Sequence, residues 1–572
     1  MFRKLMPGGP SGPRRLASAA VALAIAGAVV VLPGTAASAA TYVPVSGAGS
    51  TWSANALRQW AANVKKNGMT INFAATGSTD GRTQFANGTV DFGVSEIPYG
   101  LYDSNFGRAA DQPPARKFAY MPIVAGGTSF MYNLNIGGRR VTNLRLSGEN
   151  VAKVFTGAIK YWNDPAIKAD NPSLTLPARR IVPVVRSDGS GTTAQFTLWL
   201  SKQYPDIWNA YCARNGKRTP CGLTSYYPYK PSEGFVAKSG SENVSGFVRQ
   251  PQGEGAITYV EYSYPEKAGF PVVKLLNSAG YYVAPTAENV AVALTKAEIE
   301  DHNTDPAVYL TQKLDNVYRN PDKRAYPLSS YSYIIVPVAE EYGLKQPDKG
   351  YTLGKFGYYL LCEGQNQAKS LGYSPLPKNL VEAGLKQVER IPNMMREPNK
   401  IANCRNPTFS GDGTNTLANN APYPPECDRK GGPAQCTTGT GGAPQDTPSN
   451  NNGGSTGGNN PAGSGGPNPT AGPNATAGPN ASAGPNAAPS AGAVDPLTGD
   501  PVAGGSDPGA GAGTGGDFVA GIPVALDADG GWRLSHTLML LAGVLFVGLM
   551  IGPPLLARSL QRRGRNNSWS GS

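Results

Sequence analysis

Two histidines serve 572 residues, His302 and His536. A Ser–His pair or a histidine-built metal centre therefore has little to draw on. His302 stands in a polar Asp-His-Asn context, and His536 lies inside an apolar run. The six cysteines include no C-x-x-C, so the usual zinc-ligand spacing is missing. No pair of carboxylates stands out as an acid–base couple. These absences argue against an enzyme, and no metal or cofactor is expected. A further absence concerns the C-terminal part. From Thr437 to Gly530 there is no Lys, Arg or Cys, and Phe518 is the one aromatic residue. Such a stretch cannot bury a core. Ala-Gly-Pro-Asn recurs there at Ala471, Ala477 and Ala483. The composition changes from about Cys404, and residues 401–533 read as a disordered Gly/Pro/Asn/Ala-rich linker.

Long apolar runs occur only at the two ends. Arg3, Lys4, Arg14 and Arg15 precede an apolar run from Ala17 to Leu32 and the small residues Ala37-Ser-Ala-Ala40. This is the pattern of a secretory signal peptide, residues 1–40. No cysteine follows closely, so a lipid anchor at this end is not expected. Leu534 to Ala557 is apolar and long enough to span a bilayer. Arg558, Arg562, Arg563 and Arg565 follow it, which predicts a basic cytoplasmic tail, 558–572, with the bulk of the chain outside the cell. A Leu-Pro-x-Thr-Gly sorting signal is absent; Pro496-Leu-Thr-Gly499 does not match it. The helix 534–557 is thus expected to be retained as a single-pass anchor. The formal charge of +12 has four positive charges in the leader and four in the tail. The excess sits where topology needs it and is no evidence for nucleic-acid binding.

An exported chain with six cysteines is expected to hold disulfides. Cys212 with Cys221, Cys427 with Cys436 and Cys362 with Cys404 are the local pairings, among the fifteen that six cysteines allow.

What is present is a set of three short loops rich in glycine and hydroxyls. The most telling is Arg186-Ser-Asp188-Gly-Ser190-Gly191-Thr192-Thr193. Ile181 to Val185 before it reads as a buried strand. Phe196, Trp199 and Leu200 after it recur at helical spacing. The first N–H groups of a helix have no internal partner, and its dipole favours negative charge there. Ser190 and Thr192 add hydroxyls, Arg186 adds a cationic fork, and Asp188 can hold that fork in place. A second loop, Gly47-Ala-Gly49-Ser50-Thr51-Trp52-Ser53, opens a helix on which Leu57, Trp60, Ala61 and Val64 share a face; Ser50, Thr51 and Ser53 are good helix caps. The third, Thr76-Gly77-Ser78-Thr79-Asp80-Gly81, follows a strand over 69–75 and opens a helix through Phe85. Residues 89–98, including Glu96, read as a strand running into a polar loop. Three such loops on different helices suit one shared anion.

Strands are also expected at 118–124, 128–134, 256–260, 272–276 and 326–336. Helices are expected at 150–155, 288–294, 353–371 and 380–388. The alternation predicts an α/β fold of layered sheets, and about 360 residues call for two lobes.

Together these segments resemble the PstS-type phosphate-binding proteins of phosphate ABC importers. Gly47 to Thr51, Gly77-Ser78, Thr89 to Ser95 and Arg186 to Thr192 carry the resemblance. It continues through Tyr161 to Pro165, Gly255 to Tyr262, Tyr326 to Leu328 and Leu371 to Pro377, and covers residues 41–395 in order. It implies a two-lobed periplasmic-binding-protein type II fold with a two-segment hinge. Crossings near Val124 and Tyr326 would join 41–124 with 326–400 as the first lobe and leave 125–325 as the second. It also implies that Thr51, the Trp52 backbone, Ser78, Arg186, Ser190, Gly191 and Thr192 hold phosphate, with Asp188 orienting Arg186. Glu96 stands where the family usually has an aspartate, whose carboxylate accepts the phosphate proton and so rejects sulfate. Trp52 replaces a usual phenylalanine, Asp80 adds a charge, and a Tyr- and Cys-bearing insertion spans about 210–234. The implied partners are phosphate and the permease subunits of an importer. The alternative is a divergent oxyanion-binding or sensing surface protein not coupled to transport.

Overall fold

The computed structural model describes residues 41–443 apart from 105, 110, 399 and 433. The expected leader, most of the linker, the apolar span and the basic tail lie outside the described residues. Among the described residues no helix is long and apolar enough to cross a membrane.

β1 (Val45–Gly49) leads into α1 (Ala54–Lys65), whose Leu57, Trp60 and Val64 are buried as their spacing requires. β2 (Ile71–Ala74), α2 (Ser78–Ala86) and β3 (Phe92–Ser95) follow. Then come β4 (Phe118–Tyr132), α3 (Gly148–Phe155), β5 (Val182–Arg186), α4 (Gly191–Gln203), α5 (Pro205–Arg214), β6 (Val236–Lys238), α6 (Gly240–Arg249) and β7 (Ala256–Glu261). α7 (Ala287–Leu294), β8 (Ser329–Pro337), α8 (Pro347–Leu361) and α9 (Lys378–Val388) complete the main elements. One eight-stranded sheet runs in the order β6-β5-β7-β4-β8-β3-β1-β2. Its flanks are parallel, β1 with β2 and β3, and β5 with β6 and β7. The middle is antiparallel, because β4 and β8 run against each other and against their outer neighbours.

Two hydrophobic cores meet at these middle strands. The first gathers β1 to β3, α1, the start of β4, most of β8, α8 and α9. The second gathers the end of β4 with α3 to α5, β7, α7 and Tyr326 and Leu328. β4 is a single strand of 15 buried residues, where two strands with a break at 125–127 were expected. Gly126 and Gly127 do not interrupt it; they pair with Ser330 and Ser329 of β8. A side chain is excluded at Gly126 because its Cβ would lie 2.8 Å from the Trp52 ring. Gly126 is there to admit that ring, and Gly127 to let Pro285 and Tyr326 approach, not to end the strand.

Two further expectations are corrected. The helix expected over 353–371 stops at Leu361. Short 3-10 turns follow, and the Gly364 carbonyl accepts from Trp60 Nε1 at 2.9 Å. Residues 401–443, read as the start of a disordered linker, are packed on the body. Cys404 is bonded to Cys362, and Thr408 Oγ1 donates to the Leu376 carbonyl at 2.7 Å. Arg324 then donates to the Ala418 and Ala421 carbonyls, and both alanines join the second core. Beyond them Lys274 and Asp428 form a buried ion pair at 2.8 Å, and Asn143 holds the Cys436 carbonyl. This segment therefore passes from the first core onto the second. Its order comes from disulfides and side-chain bonds reaching in from elsewhere, which a composition window does not register. All three expected disulfides are formed.

Candidate functional site

The three loops converge. Gly77 N–H donates to the Gly49 carbonyl at 2.8 Å, Thr79 N–H to the Gly189 carbonyl at 3.1 Å, and Gly191 N–H to Ser78 Oγ at 3.1 Å. Thr51, Trp52, Ser78, Glu96, Arg186, Ser190, Gly191 and Thr192 are all buried where the two cores meet.

On the second-core side, β5 ends at Arg186 and delivers its guanidinium beside the start of α4. Asp188 clamps it with both carboxylate oxygens, one at 2.7 Å from Nε. Gly240 N–H, at the start of α6, donates to Asp188 at 2.9 Å. Burial pushes the Asp188 carboxyl up, but the Arg186 fork and charge and the Gly240 N–H outweigh it and hold the group below its ordinary value. Arg186 also donates to Ser241 Oγ at 3.2 Å, and Ser241 Oγ lies 2.8 Å from Thr51 Oγ1. Ser241 thus ties the two sides together. The helix start is capped by Ser190, whose Oγ accepts from Thr193 N–H at 3.1 Å. Ser190 N–H is held by the Ser225 carbonyl, so the 210–234 insertion buttresses this turn. Tyr259 packs below, its hydroxyl pushed up to about 12, first by burial, and it bonds Thr193.

On the first-core side stands Glu96, just past β3 and 1% exposed. Its carboxylate accepts from Ser50, from Ser332 at 2.9 Å and from Ser78 at 2.7 Å. Among the described residues no cation pairs with it. Gly191 must be glycine for this packing, since a Cβ there would fall on Glu96 Oε2.

Several details depart from expectation. The Trp52 N–H, expected to face the ligand, donates to Ser50 Oγ at 2.9 Å. The Trp52 ring is structural, edge-on to Tyr373 with Nε1 on Thr128. The helix is not capped by the expected serine and threonine hydroxyls: its N-cap is Ser53, which makes no side-chain cap bond, and the Ser50 proton goes to Glu96. Asp80 is exposed and engages Gln84 at 2.5 Å, away from the site residues. Ser241 and Ser332 were missed altogether. Each lies about 50 residues or more from the loop it serves, and neither carries a local motif.

A family model described as a PBP superfamily domain matches residues 34–363. The phosphate-binding protein PstS of Xylella fastidiosa is 32% identical over 351 residues, covering 61% of this chain and 84% of that one. The phosphate-binding protein PstS of Methanocaldococcus jannaschii is 30% identical over 354 residues, covering 60% of this chain and 85% of that one. Among solved structures, a phosphate-binding protein from Stenotrophomonas maltophilia aligns with 60% of this chain and 93% of its own at 17% identity, with a TM-score of 0.44, too low to decide anything. By the family match over more than half its length, and by its likeness to these relatives, the chain belongs to the PBP superfamily and, within it, to the family of the PstS proteins.

Proposed function

We propose that this protein binds inorganic phosphate outside the cell and hands it to the permease subunits of an ABC importer, without chemical turnover. The observation that carries the reading is the clamped Arg186 at the end of β5, just before α4, together with the buried Glu96 carboxylate packed against Gly191 at the start of that helix. A fixed guanidinium fork supplies donors to an oxyanion, and the start of α4 at Gly191 favours negative charge beside it. A buried carboxylate opposite supplies an acceptor, which a proton-bearing oxyanion can satisfy and sulfate cannot. Thr51, Ser78, Ser190, Gly191 and Thr192 complete the set, without the Trp52 N–H, which is taken by Ser50 Oγ. The relatives' names point the same way.

In this reading residues 41–124 with 326–400 form one lobe and 125–325 the other, crossing near Val124 and Tyr326, and the ligand is held between them. The leader 1–40 directs export. A tether and the apolar segment 534–557 keep the binding body at the membrane, close to its importer.

Calorimetry on the full-length protein, stripped of bound anion, tests the binding. One phosphate per chain and no heat from sulfate is the expected result. Silence to both anions overturns the reading. An equal response to both leaves an oxyanion binder without selectivity.

A further inference from the structure

The 210–234 insertion does more than support the Ser190 turn, because the first-core side grasps it. Between β3 and β4 the chain forms a small hairpin, Tyr102–Asp103 paired with Arg108–Ala109. Ser225 N–H of the insertion donates to Asp103 Oδ2 at 2.8 Å, and Gly222 N–H donates to Ser104 Oγ at 2.6 Å. Ser104 N–H donates back to the Leu223 carbonyl at 2.9 Å. Asp103, Ser104 and Ser225 are all buried. Beside them Ile97 packs with Ala194 and Leu223, and Phe106 stands edge-on to Tyr226 with ring centres 5.5 Å apart. The Tyr226 hydroxyl closes on Gly189, where an added Cβ would lie 2.7 Å from it.

Each half of this clasp is fixed to a different core. On the hairpin side Tyr99 belongs to the first core and its N–H donates to the Tyr120 hydroxyl at 2.7 Å. Gly100 N–H donates to Asp111, which is paired with Arg82. On the insertion side Trp208 Nε1 donates to the Gly222 carbonyl at 3.1 Å, and Thr224 N–H donates to Thr197 Oγ1 of α4 at 2.9 Å. The Tyr227 hydroxyl donates to the Phe155 carbonyl, and the Cys212–Cys221 disulfide ties the insertion to α5. With both ends held, the bonds between them form only when the two cores are drawn together. They also reach the anion loop. Asp103 accepts from Ser225 N–H, and the Ser225 carbonyl accepts from Ser190 N–H at 3.0 Å.

We infer that the hairpin and the insertion form a latch between the lobes, with Asp103 and Ser104 as positioning residues that hold the closed state and set how fast phosphate leaves. This rests on the phosphate reading and the two-lobe division above, and adds what keeps the loaded protein shut. Neither residue belongs to the binding set; Asp103 acts on the anion through Ser225 and Ser190. Bonds made only in the closed state stabilise that state alone, so their loss speeds release and leaves capture unchanged. The bond to the Asp103 carboxylate is the strongest of them, because its acceptor is charged.

The test is rapid-mixing kinetics on the full-length protein, with release of radiolabelled phosphate followed into an excess of unlabelled phosphate. Asp103→Ala combined with Ser104→Ala is expected to speed release by about 10- to 100-fold and to change the association rate by less than about twofold. Asp103→Asn keeps an acceptor for Ser225 N–H and should restore most of the slow release. A thermal melt supplies the second readout. The anion-free melting temperature of the double variant should match the wild type, while the rise that phosphate gives should shrink. Unchanged release, a loss confined to association, or an equal fall in both melts overturns the latch and leaves phosphate binding intact. No phosphate binding by the wild type overturns both. Should the double variant fail to fold, Ser104→Ala and the half-exposed Phe106→Ala each remove one contact, and faster release is expected from each, by about twofold to tenfold.

Discussion

The two sides of the site manage charge by opposite means. On the second-core side a cation is held by an anion: Arg186 sits in the fork of Asp188, which is itself fixed by Gly240 N–H. On the first-core side an anion is held by three serine hydroxyls, with no cation partner among the described residues. The ion pair fixes geometry and leaves N–H groups over. The three serines turn their protons to Glu96. A site built this way has a donor wall and an acceptor wall, and a ligand must present acceptors to one and protons to the other.

Removing Arg186 should break the donor wall and have the largest effect. Arg186→Ala is expected to lower phosphate affinity by at least about 100-fold and to destabilise the fold by about 3–5 kcal/mol, since Asp188 is left charged, buried and unpaired. Calorimetry and a thermal melt read the two losses separately. Arg186→Lys keeps the charge but not the fork and should recover only part of the affinity.

The acceptor wall should break differently. Glu96→Ala leaves three buried hydroxyls without their acceptor, at a cost of about 1–3 kcal/mol in the melt. Its distinguishing result is a gain: sulfate, which is expected to give no heat with the wild type, should now give binding heat.

Acid and base should separate the two kinds of buried carboxyl. The folded state holds Asp188 below its ordinary value, so its contribution is present at neutral pH and is lost as pH falls below the usual carboxylate range. Glu261 is the reverse. Burial raises it well above its ordinary value, and its Oε1 has no partner among the described residues. The fold must keep Glu261 protonated above the unfolded value, so this group costs stability as pH rises from there. Glu261→Gln should therefore raise the melting temperature at neutral pH and make no difference at about pH 4, whereas Asp188→Asn should lower it at neutral pH and matter least in acid.

The smallest expected effect lies at the seam between the walls. Ser241→Ala removes the hydroxyl shared by Arg186 and Thr51 and should weaken phosphate binding by about threefold to tenfold, roughly the worth of one hydrogen bond, with little change in the melt.

Several features could be read without coordinates, because each is local. The spacing of Leu57, Trp60 and Val64 specified a helix face. Strand, turn and helix followed one another from Ile181 to Leu200, and Ser190 capped the helix as its side chain allows. The Arg186–Asp188 pair spans two residues, so sequence alone placed the partners within reach. Cysteine proximity led to all three disulfides. Local composition misled in two places. The stretch 125–127 looked like a strand break; instead Gly126 admits a tryptophan ring from a distant loop, and Gly127 admits Pro285 and Tyr326. Residues 401–443 looked like tether and are pinned by Cys362, Arg324, Lys274 and Asn143, none of them nearby in the chain.

By itself, then, the sequence determined the elements around the site loops, the three helix-opening loops and the arginine with its carboxylate, since backbone propensity, side-chain period and short-range pairing act within a few residues. Only the tertiary structure decided where Glu96 spends its lone pairs and which serines give it their protons. That depends on Ser50, Ser78 and Ser332 meeting one carboxylate from three separate strands and loops, and a hydroxyl's single proton can be assigned only when every neighbour is in place.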